Sequence, residues 1–239
     1  MGSSGVADQV EFWNTWNRAA RFGAELDDFQ EAQRDVALSW AKRDGLAGGR
    51  ILDAGCGMGW LGAALDGYGE VTGTDLSVDA VVEGKRRYPT VNFVAGDFAT
   101  VDLHGPFDLI VSADVIAHVP DQAAYVARIA SLLKPGGRFL LMTQNPRVWN
   151  RVSYLQPQAP GQLRDWPALD RIRSLLAPAF TVDDVDSIVP GGNRGALWWV
   201  ENRWVRGGMG RLVGRQRWRR LLERALVGRE LVVAARRRT

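Results

Sequence analysis

The sequence predicts an α/β fold in which helices alternate with the strands of a doubly wound, mostly parallel sheet. Apolar strand-like runs alternate with segments of helical periodicity from residue 50 to residue 143. The first apolar run, 50–54, leads into glycines at alternate positions, as in a ligand-binding turn between a strand and a helix. A length of 239 residues with 46% hydrophobic content allows one such domain with a substantial core.

The elements follow in order along the chain. Residues 8–45 predict helices, because apolar side chains recur at roughly helical spacing until glycines close the segment. The predicted strands are 50–54, 70–75, 91–95, 107–112, 137–143, 179–189 and 229–236. The predicted helices of the core are 59–67, 77–87, 121–133 and 167–177. This rhythm implies βαβ units and therefore a parallel sheet.

Two segments interrupt the alternation. Residues 145–165 hold three prolines and predict a loop or lid, and residues 197–227 predict an inserted helical region. With no repeat and no low-complexity linker, we expect a single domain over 1–239. Its parts are an N-terminal helical cap (1–49), the core (50–189), a helical insert (190–227), and the last strand and tail (228–239).

The turn after the first strand narrows the class of ligand. A dinucleotide-binding fold has its fingerprint glycines at G-x-G-x-x-G after a strand. Here Gly55 and Gly57 are followed by Gly59, and the bulky Trp60 occupies the position of the third dinucleotide glycine. Because Trp60 replaces that glycine, the turn is not expected to bind a dinucleotide. A cofactor of another kind is expected there.

The pattern Asp53-x-Gly-x-Gly-x-Gly59 resembles the first motif of class I S-adenosylmethionine-dependent methyltransferases of the small-molecule type. Three further segments, 71–77, 94–98 and 107–119, resemble the second, third and fourth motifs of that family, and 132–139 resembles the turn before its fifth strand. The resemblance covers about residues 50–144, with weaker support from 167–189 and 228–236. It implies a sheet of order 3-2-1-4-5-7-6 whose last strand is antiparallel.

The same resemblance implies which residues hold S-adenosylmethionine, with S-adenosylhomocysteine as product. Asp53 would order the glycine turn, Asp75 would accept the ribose hydroxyls, and Asp97 would accept from the adenine amino group. The full predicted set is Asp53, Gly55, Cys56, Gly57, Gly59, Asp75, Leu76, Asp97, Phe98, Ala113 and Asp114. All four acids are predicted at carboxyl ends of strands, where ligands bind in open α/β sheets.

A hydroxyl acceptor needs a route for its proton, and His118 is the candidate general base because its pKa range suits that task. The alternative for His118 is a capping or cofactor-flanking role. A metal site is an alternative for this region, since Asp114 and His118 are four residues apart and Asn145 follows the next strand. Gln144 stands where a further carboxylate would favour magnesium, so no metal is predicted.

Aromatic residues outside the core motifs predict the acceptor pocket. The candidates are Trp13, Trp16, Asn145, Trp149, Tyr154 and Trp198. Aromatic side chains with a few polar groups suit a small organic acceptor, although ordinary packing of cap helices explains part of the set. The chain lacks the Asp/Asn-Pro-Pro-Tyr motif of nucleobase amino methylation after its fourth strand, which disfavours that reaction.

Charge is unevenly distributed. Residues 190–239 carry 13 arginines against three glutamates, a balance of +10, while the other residues carry 17 basic and 24 acidic groups, a balance of −7. This asymmetry suggests an anionic or lipid-linked substrate, or peripheral membrane contact through the basic amphipathic segment 203–227. A solvated face on a packed helix is the simpler explanation. No nucleic-acid recognition module accompanies the arginines, so nucleic acid is not expected.

The remaining features bear on location. A single cysteine, Cys56, excludes an internal disulfide and fits a reducing compartment. No run of 18 apolar residues is present, and residues 1–5 lack the apolar core of a secretory signal. We therefore expect a cytoplasmic protein, with membrane association as the alternative.

These observations predict methyl transfer from S-adenosylmethionine to a small organic molecule, most readily at oxygen, in the biosynthesis of a specialised metabolite or glycoconjugate. One alternative is a membrane-surface enzyme that methylates a quinone or a lipid-linked substrate. A second alternative is a protein that binds S-adenosylmethionine without transferring the methyl group.

Overall fold

The computed structural model describes residues 6–239, so the expectation for residues 1–5 lies outside the described part. One seven-stranded sheet with the order β3-β2-β1-β4-β5-β7-β6 organises it. The strands are β1 Gly49–Ala54, β2 Gly69–Asp75, β3 Asn92–Ala95, β4 Phe107–Ala113, β5 Leu133–Gln144, β6 Phe180–Pro190 and β7 Gly228–Arg237. β7 pairs antiparallel with both β5 and β6, while the other pairs are parallel. The predicted fold class and strand order are confirmed.

Helices flank the sheet and cap one edge of it. They are α1 Val6–Ala20, α2 Asp28–Arg43, α3 Trp60–Leu65, α4 Val78–Arg87, α5 Gln122–Leu132, α6 Pro146–Trp149, α7 Leu169–Leu176, α8 Trp198–Glu201, α9 Arg203–Met209 and α10 Arg215–Arg224. α2 begins where Asp27 and Gln30 form a capping box, each side chain accepting from the other residue's backbone N–H. The predicted N-terminal cap and helical insert are both present.

Both faces of the sheet are buried, as a doubly wound sheet requires. Neighbouring residues of one strand alternate between the two cores. Leu52 and Ile110 pack with α5 and α7 on one face, whereas Ile51 and Val111 pack with α2 and α3 on the other. The continuous apolar runs of β1 and β4 reflect this burial on both sides.

The fifth strand begins earlier than the sequence indicates. β5 starts at Leu133 rather than 137, and its pairing with β4 shifts register between Phe107 and Leu109. The Pro-Gly-Gly sequence produces that irregularity, since Gly136 has a φ of +76°. The turn expected before the strand is thus incorporated into it.

Additions to the core gather at the carboxyl edge of the parallel strands. Because β7 is antiparallel, it begins at that edge, where Glu230 pairs with Gln144 at the end of β5. The insert between β6 and β7 therefore lies at the same edge, together with the segment 150–168 that follows α6. None of the helices in residues 6–239 is long and apolar enough to span a membrane.

Candidate active site

A cavity of about 790 Å³ opens at the carboxyl edge of the sheet. Its wall combines the ends of β1, β2 and β4 with side chains from α1, α2 and the segment 150–168. This is where an open α/β sheet binds ligands, next to the point at which strand order reverses between β1 and β4. Most of the residues predicted from the sequence meet here.

The glycine turn after β1 forms one end of the cavity. Gly55, Gly57 and Gly59 all have positive φ, at +77°, +54° and +83°. The N–H groups of Gly55 and Cys56 both donate to the carbonyl of Thr74 at 2.8 and 2.9 Å, which ties the turn to β2. A Cβ atom added to Gly57 would meet no atom within 4 Å, so the backbone there faces open space.

Asp53 lies beneath that turn. Its Oδ2 accepts the Gly62 N–H at 2.9 Å and so holds the first turn of α3 against β1. The side chain is buried, and burial raises the pKa of Asp53 to about 7, with the Gly62 hydrogen bond opposing the shift. Asp53 thus ties the helix that follows the glycine turn to β1, and its role toward a cofactor stays a prediction.

Asp75 ends β2 beside the same turn. Its Oδ2 accepts the Gly57 N–H and its Oδ1 the Ser77 N–H, both at 2.8 Å. Burial raises the pKa of Asp75, while these backbone donors act in the opposite direction. Each carboxylate oxygen keeps a further lone pair, so the side chain can still accept from a ligand.

The remaining predicted cofactor residues extend the wall from the glycine turn. Leu76, Asp97, Phe98, Ala113, Asp114 and Cys56 all line the cavity. Asp97 begins a turn shortly after β3, and its Oδ1 accepts the Ala99 N–H at 3.0 Å. Phe98 packs on Tyr125 with ring centroids 4.9 Å apart, which fixes the position of its ring.

His118 lies on a short 3-10 turn, Ile116–His118, and contributes to the cavity wall. Its Nδ1 lies 2.6 Å from the carbonyl oxygen of Leu163. A carbonyl only accepts, so Nδ1 carries the proton and Nε2 of the neutral ring keeps its lone pair. Burial lowers the pKa of His118 and favours this neutral form. Trp13 packs edge-on against the ring at 4.8 Å.

The segment 150–168, here called the cover loop, closes one side of the cavity. Gln9 of α1 donates through Nε2 to the Gly161 carbonyl and accepts the Leu163 N–H at 3.3 Å. The Asp165 N–H donates to the Ala117 carbonyl at 2.8 Å. These hydrogen bonds fasten the loop to α1 and to the turn that carries His118.

An aromatic group forms the wall beside the cover loop. Trp149 lies 5.9 Å from Trp166 and 6.5 Å from Tyr154, measured between ring centroids, and Phe29 stacks on it at 6.2 Å. Trp149, Tyr154 and Trp166 line the cavity together with Trp13 and Trp16. Four of the predicted pocket residues, Trp13, Trp16, Trp149 and Tyr154, are therefore at the cavity.

Three other predicted residues lie outside the cavity wall. Gly59 precedes α3, and a Cβ there would meet the Phe93 ring at 2.3 Å, so this glycine permits close packing. The side-chain amide of Asn145 donates to the carbonyls of Leu226 and Gly228, and Trp198 is 56% exposed on the insert. Their roles toward ligands remain predictions from the sequence.

The metal alternative receives no support from the donor set. Within residues 6–239, no group of three or more histidine, cysteine, aspartate or glutamate side chains is arranged to hold a metal ion. The oxygen that this alternative needs as a ligand, Asn145 Oδ1, accepts the Arg147 N–H at 3.1 Å, while Nδ2 donates to the carbonyls of Leu226 and Gly228.

Gln33 and Glu230 are among the residues of the site region that were not identified from the sequence. Gln33 of α2 lines the cavity, and its Nε2 donates to Asp114 Oδ2 at 2.9 Å and to Glu230 Oε1 at 2.5 Å. The sequence contains a sign of each, because a polar side chain in a buried segment needs a hydrogen-bonding partner. Gln33 follows Ala32 on the apolar face of its helix. Glu230 is an acid near the start of an otherwise apolar strand.

Comparison with known proteins places these features in a family. Residues 26–225 match a family described as "Methyltransferase domain". The chain is 38% identical over 150 residues to the ubiquinone biosynthesis O-methyltransferase of Aromatoleum aromaticum, covering 58% of this chain and 64% of that protein. It is 33% identical over 154 residues to a probable S-adenosylmethionine-dependent methyltransferase of Mycolicibacterium smegmatis, covering 63% and 59%. The chain thus spans about three fifths of these relatives' length.

Solved structures share the fold. The magnesium protoporphyrin IX methyltransferase of Synechocystis PCC 6803 with bound S-adenosylhomocysteine superposes with a TM-score of 0.66 at 18% identity, covering 98% of this chain and all of that one. The N-methyltransferase NodS of Bradyrhizobium japonicum, in complex with S-adenosylhomocysteine, gives 0.65 at 15% identity and 98% coverage of both chains.

Proposed function

The chain belongs to the methyltransferase domain family, and from that premise we propose that it transfers a methyl group from S-adenosylmethionine to an oxygen atom of a small organic molecule. The observation that carries the proposal is one cavity whose wall holds two kinds of group. The glycine turn with Asp75 is here called its first end, and His118 with an aromatic wall is called its second end, or acceptor end. Cofactor and acceptor would meet between them.

The residues at the first end fit the cofactor. Gly57 leaves open space where a side chain would project, so the methionyl part can approach the backbone. Asp75 would accept from the ribose hydroxyls through its remaining lone pairs, and Asp97 with Phe98 would hold the adenine. The bound cofactor supplies a methyl group on a positively charged sulfur, which makes that carbon electrophilic.

The second end supplies what a hydroxyl acceptor requires. His118 with its neutral Nε2 can take the proton that an acceptor hydroxyl loses as the new bond to oxygen forms. Trp149 and Trp166 offer flat apolar surface to an organic ring or chain, and Arg164 on the cover loop offers a charge for an anionic substituent. The cover loop excludes water, which would otherwise solvate the acceptor oxygen.

Release of S-adenosylhomocysteine tests the proposal. The full chain is incubated with S-adenosylmethionine and with hydroxylated aromatic acids, phenols and quinols, and the product is quantified by mass spectrometry. Turnover that depends on one class of hydroxyl acceptor, and a mass gain of one methyl on that acceptor, support the proposal. Tight cofactor binding without turnover on any acceptor, including a lysate extract, would favour the binding-only alternative.

A second candidate, an acceptor presented at a membrane surface, is favoured by the insert. Trp198, Trp204, Leu212 and Leu221 are 56–80% exposed there. Arginines stand among them: Arg203, Arg211, Arg215, Arg217, Arg219, Arg220 and Arg224. A basic surface with exposed aromatic and aliphatic side chains suits an anionic lipid headgroup region.

The insert also adjoins the cover loop. The backbone N–H groups of Asn193 and Arg194 both donate to the Arg151 carbonyl, and the Asn193 side chain exchanges hydrogen bonds with Ser153. A lipid surface against the insert would therefore lie near the acceptor end of the cavity, which suits an acceptor with a lipid tail.

Vesicle co-sedimentation decides this candidate. Anionic vesicles should pellet the wild-type chain, and a Trp204→Ser/Leu212→Ser variant should bind at least about tenfold more weakly. The matched control is Val82→Ser, since Val82 is 62% exposed on α4, away from the insert. Equal binding to zwitterionic and anionic vesicles, or none to either, would count against it.

A further inference from the structure

Two buried carboxyl groups meet under the cavity through one glutamine. Gln33 Nε2 lies 2.9 Å from Asp114 Oδ2 and 2.5 Å from Glu230 Oε1, and it donates one hydrogen to each. The three residues come from α2, the end of β4 and β7, so the arrangement exists only in the folded chain. Both carboxyl groups therefore lie within hydrogen-bond reach of one nitrogen atom, and each perturbs the pKa of the other.

Two buried carboxyl groups that accept from the same amide nitrogen cannot both stay ionised at low cost when water is excluded. Glu230 is 1% exposed, and its Oε2 meets no hydrogen-bond donor among the described residues. A buried oxygen without a donor is explained if it carries the proton and donates to Asp114 itself. Asp114 then accepts from Glu230 and from Gln33.

The two charged groups that act on Asp114 from outside the pair have opposite sign and largely cancel. Arg21, which follows α1, and Asp27, which precedes α2, both act on Asp114 through space. They pair with each other at 3.0 Å, so neither acts as a full counter-charge. Burial raises the pKa of Glu230 well above its ordinary value and that of Asp114 to about 6, which leaves Asp114 as the ionised member near neutral pH.

The position of Asp114 places this single negative charge at the cavity wall, where it can interact with a ligand. Asp114 and Gln33 line the cavity, whereas Glu230 lies behind them and does not reach it. The next residue, Val115, packs so tightly on the glycine turn that a Cβ on Gly55 would lie 2.1 Å from its Cγ2. Asp114 has a φ of +61°, a conformation that the surrounding contacts must hold.

We propose that Glu230 and Gln33 are positioning residues: Glu230 shares one proton with Asp114, Gln33 donates a hydrogen bond to both, and together they hold Asp114 as a single negative charge facing the cationic end of the methyl donor. The inference rests on the proposed function, because it assigns a cation to the cavity. The donor carries two cationic groups, its sulfonium and its ammonium. The product keeps only the ammonium, so comparing the two ligands identifies which group faces Asp114.

Calorimetric titration of the full chain with S-adenosylmethionine and S-adenosylhomocysteine provides the test. Glu230→Gln is neutral, keeps an N–H donor and should bind both ligands within about threefold of wild type. Glu230→Leu removes the donor and should bind the cofactor at least about tenfold more weakly. Asp114→Asn should lower affinity for the cofactor more than for the product if the sulfonium faces Asp114, and for both equally if the ammonium does.

The pH dependence separates positioning from structural support. Cofactor affinity of the wild-type chain should fall below about pH 6 as Asp114 gains a proton, and Asp114→Asn should reduce that dependence to the part that Asp53 and Asp75 contribute. Asp108→Asn is the control, since Asp108 heads the same strand at its other end and is hydrogen bonded to Arg50 and Lys134. Loss of binding in Glu230→Gln as severe as in Glu230→Leu would overturn the proposal.

The proton itself can be observed without any ligand. Carbon-13 carboxyl shifts of the free chain at pH 7 should show Glu230 protonated and Asp114 ionised. Two ionised carboxylates would overturn the shared proton, even if the cofactor binds. Failure of the wild-type chain to bind either ligand would overturn the proposed function and the counter-charge with it, while the carboxyl spectrum would still report on the pair.

Discussion

Asp75 Oδ2 accepts the Gly57 N–H at 2.8 Å, so the acid that ends β2 also holds the glycine turn that follows β1. One carboxylate therefore fixes the backbone of the glycine turn by a hydrogen bond. It also keeps lone pairs that can accept hydrogen bonds from a ligand in the cavity. The two motifs are 18 residues apart in the chain, yet they form one structural unit.

Asp75→Ala should weaken S-adenosylhomocysteine binding by about 10- to 150-fold, because hydrogen bonds to a charged group contribute about 1.5–3 kcal/mol. Titration calorimetry measures the loss. Asp75→Asn keeps one oxygen acceptor and should fall between wild type and Asp75→Ala. An unchanged affinity in a folded Asp75→Ala variant would contradict the assignment of this acid to the cofactor.

Gly57 and Gly59 form a matched pair that separates binding from folding. Gly57→Ala places a methyl group in open space, so it should cost only about 1–2 kcal/mol of backbone strain while blocking the cofactor. Gly59→Ala drives a methyl group into the Phe93 ring and should destabilise the fold well beyond that. Chemical denaturation and calorimetry measure both quantities. Equal affinities of Gly57→Ala and wild type would place the cofactor elsewhere.

His118→Gln should lower kcat by about 10²–10⁴ with little change in cofactor affinity, because a general base acts in the transition state. His104→Gln is the control, since that side chain is 83% exposed and lies beside the exposed Asp102. Burial lowers the pKa of His118, so wild-type activity should persist below pH 6.5 before it falls. An acid limb centred above pH 6.5 would indicate another group.

Asp53 and Asp108 should shift stability in opposite directions with pH. The folded pKa of Asp53, about 7, lies above the unfolded value near 3.8, so stability should decline as pH rises from about 4 to 7. Asp53→Asn should reduce that decline. The pKa of Asp108 is lowered: burial opposes the change, but hydrogen bonds from Arg50 and Lys134 outweigh it. Its stabilisation should be lost as pH falls through the folded pKa.

Urea unfolding of Asp53→Asn and Asp108→Asn across pH 3–8 measures both effects. Asp108→Asn should lose more stability at pH 7 than at pH 3, whereas Asp53→Asn should gain relative to wild type as pH rises. A stability profile that is the same in Asp53→Asn and wild type would show that burial does not perturb this acid.

Short sequence motifs predicted those parts of the molecule whose structure depends on residues close together in the chain. The turn from Gly55 to Gly57 and the acid Asp75 are defined within a few residues each, and the fold brings them together as expected. Leu163 and Glu230 escaped prediction because their roles depend on distant partners. The Gln33–Glu230 hydrogen bond spans 197 positions of the chain, and no periodicity or motif encodes such a pairing.

The start of β5 illustrates the same limit. Pro135 and Gly136 predict a turn from their own conformational preferences, yet pairing of Leu133 with Phe107 extends the strand past them. Trp198 is the converse case. Its size suggested a pocket residue, but the position of the insert leaves it exposed.

Burial of the ring couples the proton affinity of His118 to the position of the cover loop, because burial lowers the pKa of His118 by more than the hydrogen bond to the Leu163 carbonyl raises it. With the loop in place, the ring is buried and its neutral form is favoured. Withdrawal of the loop would rehydrate the ring and restore the higher proton affinity of a solvated imidazole. By thermodynamic reciprocity, a proton on His118 must then favour withdrawal of the loop. An acceptor that delivers its proton to His118 would thereby weaken the enclosure around the finished product.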